Sequence, residues 1–82
     1  MKQHTITSLE ILGQTIRAAR QEMKLTQTEL GSLVGLKQKT VSDAENGSPG
    51  IRIDTLYRLL SGLNLEIVLQ TRKKNDTSEG QW

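Results

Sequence analysis

The sequence predicts a mainly α-helical fold, a small bundle of four helices with one C-terminal β-strand that pairs across a homodimer. Three observations point there. Apolar residues recur at spacings of three and four from Leu9 to Leu63, the signal Thr-x-x-Glu occurs twice ahead of such a stretch, and the period becomes two only after Asn64.

Thr7-Ser8-Leu9-Glu10 reads as a capping box in which Thr7 accepts from the backbone at Glu10 and Glu10 reaches back. Leu9, Leu12, Ile16, Ala19 and Met23 then make one apolar stripe, so a first helix is expected over residues 8–23, with Arg17 and Arg20 off that stripe. Thr26-Gln27-Thr28-Glu29 is a second capping box. Leu30, Leu33 and Val34 supply the apolar side of a short helix, which Gly35 closes by permitting a left-handed backbone. Leu36 is expected as a buried anchor, followed by a third helix over residues 37–46 with Val41 and Ala44 inward and Asn46-Gly47 as its break. Two capped helices joined by a tight Gly-containing turn form a helix-turn-helix pattern.

Ser48-Pro49-Gly50 is a loop by composition, and Ile53, Leu56, Leu59, Leu60 and Leu63 mark a fourth helix ended by Gly62 and Asn64. Residues 65–70 are β-branched and mostly alternating, with Leu65, Ile67 and Leu69 on one face of a strand. A solitary strand leaves its backbone groups unpaired. The only other candidate in the chain is the weak stretch 3–6, so the same strand of a second copy is the expected partner, and Leu65, Ile67, Val68 and Leu69 are the expected dimerisation residues. Beyond it the Lys-, Asn-, Ser- and Gly-rich residues 72–82 read as a flexible tail ending in Trp82. The expected organisation is therefore a helical domain over residues 8–64, a dimerisation strand over 65–71 and the tail.

Composition narrows the function classes. A chain of 82 residues builds one small domain and gains from a partner subunit. With no Cys and a single His, His4 near a terminus, neither a metal site nor a cofactor is expected. No apolar run reaches the ~18 residues of a membrane span, and no signal-peptide core follows Met1-Lys2, so the expectation is a soluble, cytoplasmic protein without a membrane partner. No phosphate loop or nucleophile–base pair is present, and enzyme activity is not expected. The modest net charge of +2 hides an asymmetry: residues 1–40 carry Lys2, Arg17, Arg20, Lys24, Lys37 and Lys39 against Glu10, Glu22 and Glu29. Such a layout suits a field directed at a polyanion.

The tract TQTELGSLVGLKQKTVSDAENG, residues 26–47, resembles the Cro/phage-repressor (XRE) helix-turn-helix family. The shared features are Thr26-Gln27 opening a helix, Leu30 and Val34 inside it, Gly35 in the turn, Val41 in the recognition helix and Glu45-Asn46-Gly47 at its end. The resemblance implies a DNA-binding domain over residues 8–64 that holds double-stranded operator DNA. Physical reasons agree, because a recognition helix needs long polar side chains in the turns that enter the major groove. Lys37, Gln38, Lys39, Ser42 and Asp43 stand there as base-reading candidates. Gln38 suits adenine N6 and N7, the two lysines suit guanine or phosphate, and Asp43 suits cytosine N4 or acts as a repulsive filter. Thr26 and Gln27 lie at a helix N-terminus that favours phosphate. By resemblance Gln27, Thr40 and Asn46 are phosphate contacts, and Arg52 joins them because it begins the fourth helix near the same side. The family's matching acid is structural, so Glu45 is expected to pair with Arg17 or Arg20.

The segment GLKQKTVSDAENG, the strand after the bundle and the Gln81-Trp82 tail resemble the HipB-type antitoxins. That resemblance implies a homodimer bound to a palindromic operator, repression of its own operon in bacterial, nucleoid-associated DNA, and docking of a HipA-like serine/threonine kinase toxin with Trp82 as an anchor. A stand-alone repressor and a protein-interaction module are the competing expectations.

Overall fold

Ser8, one residue later than the expected Thr7, caps the first helix of the computed structural model, which describes residues 3–72. The Ser8 hydroxyl accepts from the Ile11 backbone N–H at 3.1 Å, which leaves Thr7 outside the helix. Either hydroxyl can cap, and the register falls to the one whose residue is extended directly before the first helical turn. Helix α1 spans Leu9–Glu22, and Lys24, in the left-handed region at φ 59°, turns the chain out of it. Ile16 and Ala19 are buried, whereas Leu9 and Met23 at the two ends of the expected stripe are exposed, because the other helices cover only the middle of α1.

Helix α2, Gln27–Val34, carries the expected capping box in full. Glu29 N–H donates to Thr26 Oγ1 at 3.0 Å and Thr26 N–H donates to Glu29 Oε1 at 2.8 Å. Gly35 takes φ 73° and ends the helix, and its N–H bonds back to Gly31. Helix α3, Gln38–Glu45, follows after three residues, flanked by Lys37 and Asn46. Helix α4, Ile53–Gly62, is closed by Asn64 at φ 60°.

The core gathers Ile16, Leu30, Val41, Leu56 and Leu59, with α1 packed on α3, α3 on α2 and α2 on α4. Leu36 lies against this core only partly buried. Two expected core residues do not reach it. Leu33 is 62% exposed, and Ile53 is comparably open, since each sits on the rim of its helix's apolar stripe with no neighbour to cover it. None of the four helices is long and apolar enough to cross a membrane.

After α4, Leu65 donates its backbone N–H to Leu60 and packs against the core, so this expected dimerisation residue is shared with the chain's own interior. Residues 66–72 continue without a backbone ladder among the described residues. Ile67 and Val68 are exposed and Leu69 is 92% exposed. The stretch 3–6 runs beside this segment, with Gln3 Nε2 donating to Gln70 Oε1 at 3.1 Å, and the two border a groove floored by Leu12, Leu56 and Leu60. Of the expected tail only Arg72 is described; Trp82 lies outside the described residues.

Candidate nucleic-acid interface

Helix α3 has one inward side, formed by Val41, Ala44 and Glu45. The helical repeat places Lys39 and Asp43 opposite it, with Gln38 and Ser42 on the flank toward α2 and Thr40 on the other flank. Lys37, Gln38 and Lys39 are exposed, and Ser42, Asp43 and Thr40 are half-buried. Gly35 makes this presentation possible, because the two-residue link from its left-handed turn leads straight into α3. The structure thus brings the five base-reading candidates to one end and one outer surface of a single helix.

The surface is electrostatically muted at its centre. Lys39 Nζ lies 3.2 Å from Asp43 Oδ2, an ion pair one helical turn apart. Exposed pairs of this spacing contribute only ~0.3–0.5 kcal/mol, so the contact opens readily.

Beneath the surface lies the one buried charged side chain among the described residues, that of Glu45. Its carboxylate accepts from Arg20 Nε at 2.6 Å, Arg20 Nη2 at 3.0 Å, Arg17 Nε at 3.2 Å and Gln27 Nε2 at 3.0 Å. Burial by itself would push this carboxyl up; the hydrogen bonds from Arg20, Gln27 and Arg17 together outweigh it and hold the group below its ordinary value. Bonding to Glu45 raises Arg20 in turn, against the smaller cost of burial. Both arginines that the sequence offered as alternatives engage the same carboxylate. Arg20 also donates to the Leu25 carbonyl at 2.8 Å, so one guanidinium ties α1, the α1–α2 link and α3 together.

Gln27, expected as a phosphate contact, bridges the interior and the surface. Its Nε2 donates to Glu45 and its Oε1 accepts from Gln38 Nε2 at 2.6 Å. The other phosphate candidates are more scattered. Thr26 is exposed at the start of α2 with its hydroxyl oxygen engaged in the capping box. Asn46 Nδ2 reaches Ser42 Oγ at 3.4 Å. Arg52 pairs with Asp54 at 3.1 Å on the exposed start of α4; hydrogen bonding to Asp54 raises the arginine, and the same bond lowers the aspartate.

Three positioning residues were not singled out from the sequence. Gly13 lets α1 approach the end of α3, since a Cβ there would meet the Ala44 carbonyl at 2.7 Å and the Glu45 carbonyl still closer. Gly31 lies in the same manner against the Leu36 carbonyl. Arg58 Nη1 donates to the Gly35 carbonyl at 3.4 Å across the turn. A glycine inside a helical pattern signals close approach, but only the fold says to what.

With this geometry in place, comparison with known proteins is specific. The helix-turn-helix family model matches residues 16–70. The uncharacterised HTH-type transcriptional regulator y4dL of Sinorhizobium fredii (strain NBRC 101917 / NGR234) is 38% identical over 64 residues, which cover 78% of this chain and 33% of that protein. Antitoxin HipB of Escherichia coli (strain K12) is 33% identical over 58 residues, covering 71% of this chain and 66% of HipB. The chain thus matches a third of one relative's length and just under two-thirds of the other's. Among solved structures, the HipB chain of a HipA-HipB-O2-O3 complex superposes with a TM-score of 0.80 at 31% identity, covering 87% of this chain and 100% of that one. A HipB-O4 20mer complex gives the same values.

Proposed function

The chain belongs to the XRE-type helix-turn-helix family of DNA-binding proteins, and on that premise we propose that it is the antitoxin and autorepressor of a toxin–antitoxin operon. In this reading a homodimer places two α3 helices in successive major grooves of a palindromic operator, with half-site centres ~34 Å apart or a multiple of it. Lys37, Gln38, Lys39, Ser42 and Asp43 contact bases, while Thr26, Gln27, Thr40, Asn46 and Arg52 contact phosphates. Residues 65–71 of two copies pair as strands through Ile67, Val68 and Leu69. The tail carries Trp82 into a pocket of a HipA-like kinase toxin.

The observation that carries this reading is the outer face of α3, exposed, polar and held by Glu45 on a frame shared with the whole of the solved HipB chain. The association of HipB with HipA and O2-O3 in one solved complex supports both partners. The high exposure of Leu69, beside an apolar groove, supports pairing with a second copy.

The test uses the full chain and a version truncated after Arg72. Each is assayed for binding to duplexes recovered by selection from a randomised library, and for co-purification of a kinase from the native host. Sequence-specific duplex binding by both, with a kinase held by the full chain alone, is the expected result. Duplex binding with no kinase in either case leaves a stand-alone regulator, a reading that the likeness to y4dL favours. Failure to bind any duplex specifically would overturn both.

A further inference from the structure

Lys39 and Asp43 stand one turn apart on the side of α3 opposite its inward residues, with Lys39 Nζ 3.2 Å from Asp43 Oδ2 and 3.5 Å from Oδ1. The pair presents a donor and an acceptor side by side, in an order set by the direction of the helix. Neither group is used up by the contact. An ammonium carries three N–H donors and a carboxylate about four acceptor sites, so each keeps capacity for a third party. In the major groove the middle of a base pair offers the matching pattern. Guanine O6 and cytosine N4, or thymine O4 and adenine N6, are an acceptor and a donor joined by the hydrogen bond of the base pair itself, about 2.9–3.0 Å apart. That spacing is close to the 3.2 Å between Lys39 and Asp43.

We infer that Lys39 and Asp43 act as one unit that reads keto–amino order across a single base pair, Lys39 donating to the keto oxygen on one strand while Asp43 accepts from the amino group on the other. The inference rests on the reading of both residues as base contacts. Docked in this way the ion pair stays closed, so each charge remains compensated as water leaves the groove. Inverting the base pair sets the ammonium against an amino group and the carboxylate against a keto oxygen, like against like at both ends. With the first-named base on the strand nearer Lys39, G·C suits the unit better than T·A. Guanine N7 gives Lys39 a second acceptor beside O6, where thymine places its methyl group.

The experiment uses the full chain and a duplex recovered by selection from a randomised library, with all four base pairs placed at each position in turn. Lys39→Ala and Asp43→Ala should relax the preference at one and the same base pair. There wild type should favour the two base pairs with the keto base on one strand, G·C over C·G by about 10-fold or more and T·A over A·T by less. The double variant Lys39→Asp with Asp43→Lys keeps an ion pair but reverses its order, and it should prefer C·G over G·C at that position by a similar factor. Both residues lie on the outer side of α3, and an acid four residues ahead of a lysine is the better order for a helix, so the exchange leaves the fold in place. If the two single variants relax two different base pairs, the residues read independently; that result overturns the inference and leaves the base-contact reading standing. Wild-type order in the exchanged variant would overturn it as well. If neither single variant alters any base preference, and only affinity and salt dependence change, the base-contact reading itself fails and the inference falls with it.

Discussion

The Arg20 guanidinium meets the Glu45 carboxylate side by side, Nε to Oε2 at 2.6 Å and Nη2 to Oε1 at 3.0 Å, and so clamps the end of α1 to the end of α3. Arg17 reaches the same carboxylate from the rim, through a single bond at 3.2 Å. The two arginines differ in environment more than in chemistry, with side-chain exposures of 11% for Arg20 and 48% for Arg17.

That difference predicts unequal costs of truncation. Arg20→Ala leaves a buried, under-compensated carboxylate and should destabilise the fold by ~3–5 kcal/mol. Arg17→Ala removes a water-screened contact and should cost no more than ~1 kcal/mol. Urea unfolding of the two variants measures both, and equal losses would show that the carboxylate does not depend on the inner arginine.

Acid should act through the same carboxyl. Its native value lies below the ordinary 4.5, so its contribution to stability is complete above that value and is lost as the pH falls through the lower native one. Urea midpoints followed from pH 7 downward should therefore decline below about pH 4.5, and Glu45→Gln should flatten that decline. Asp54 is also held low, by Arg52, but on the open surface, and Asp54→Asn should leave the acid limb nearly unchanged.

Gly13→Ala tests the contact between α1 and the end of α3. The added methyl collides with backbone carbonyls, which cannot rotate away as a side chain would, so the helices must part. A loss of ~1–3 kcal/mol in thermal or urea unfolding is expected, together with weaker duplex binding as Glu45 moves. An unchanged melting temperature would place the two helices further apart than described.

Asp43→Ala should release Lys39 from its partner. Binding to a random-sequence duplex should tighten, and the dependence of affinity on salt should steepen by about one released counterion. A salt slope equal to that of wild type would mean that Lys39 stays away from the phosphates even when free.

Much of the helical order is local and was legible. The Thr26 capping box, the Gly35 turn and the Asn64 stop each depend on residues within four positions of one another. Leu33 and Ile53 misled because periodicity marks an apolar stripe without saying how much of it a neighbour covers, and α2 has barely two turns over which to judge. The site was legible in its parts and, through the family resemblance, in the pairing of Glu45 with an arginine, but not in the link through Gln27. Glu45 lies 28 residues from Arg17 and 18 from Gln27, and no local pattern announces that they share one carboxylate. The strand is a different case. Residues 65–70 alternate as a strand does, yet no backbone ladder forms on them among the described residues.

The separation between the inner and outer sides of α3 bears on how such a protein acquires a new target. Val41, Ala44 and Glu45 hold the helix from within, whereas Lys39 and Asp43 face away and support nothing in the interior. On the proposed reading of these residues as base contacts, exchanging the outward pair alters the target and leaves the mounting intact. Gln38 is the exception, being joined to the mounting through Gln27, which itself bonds to Glu45.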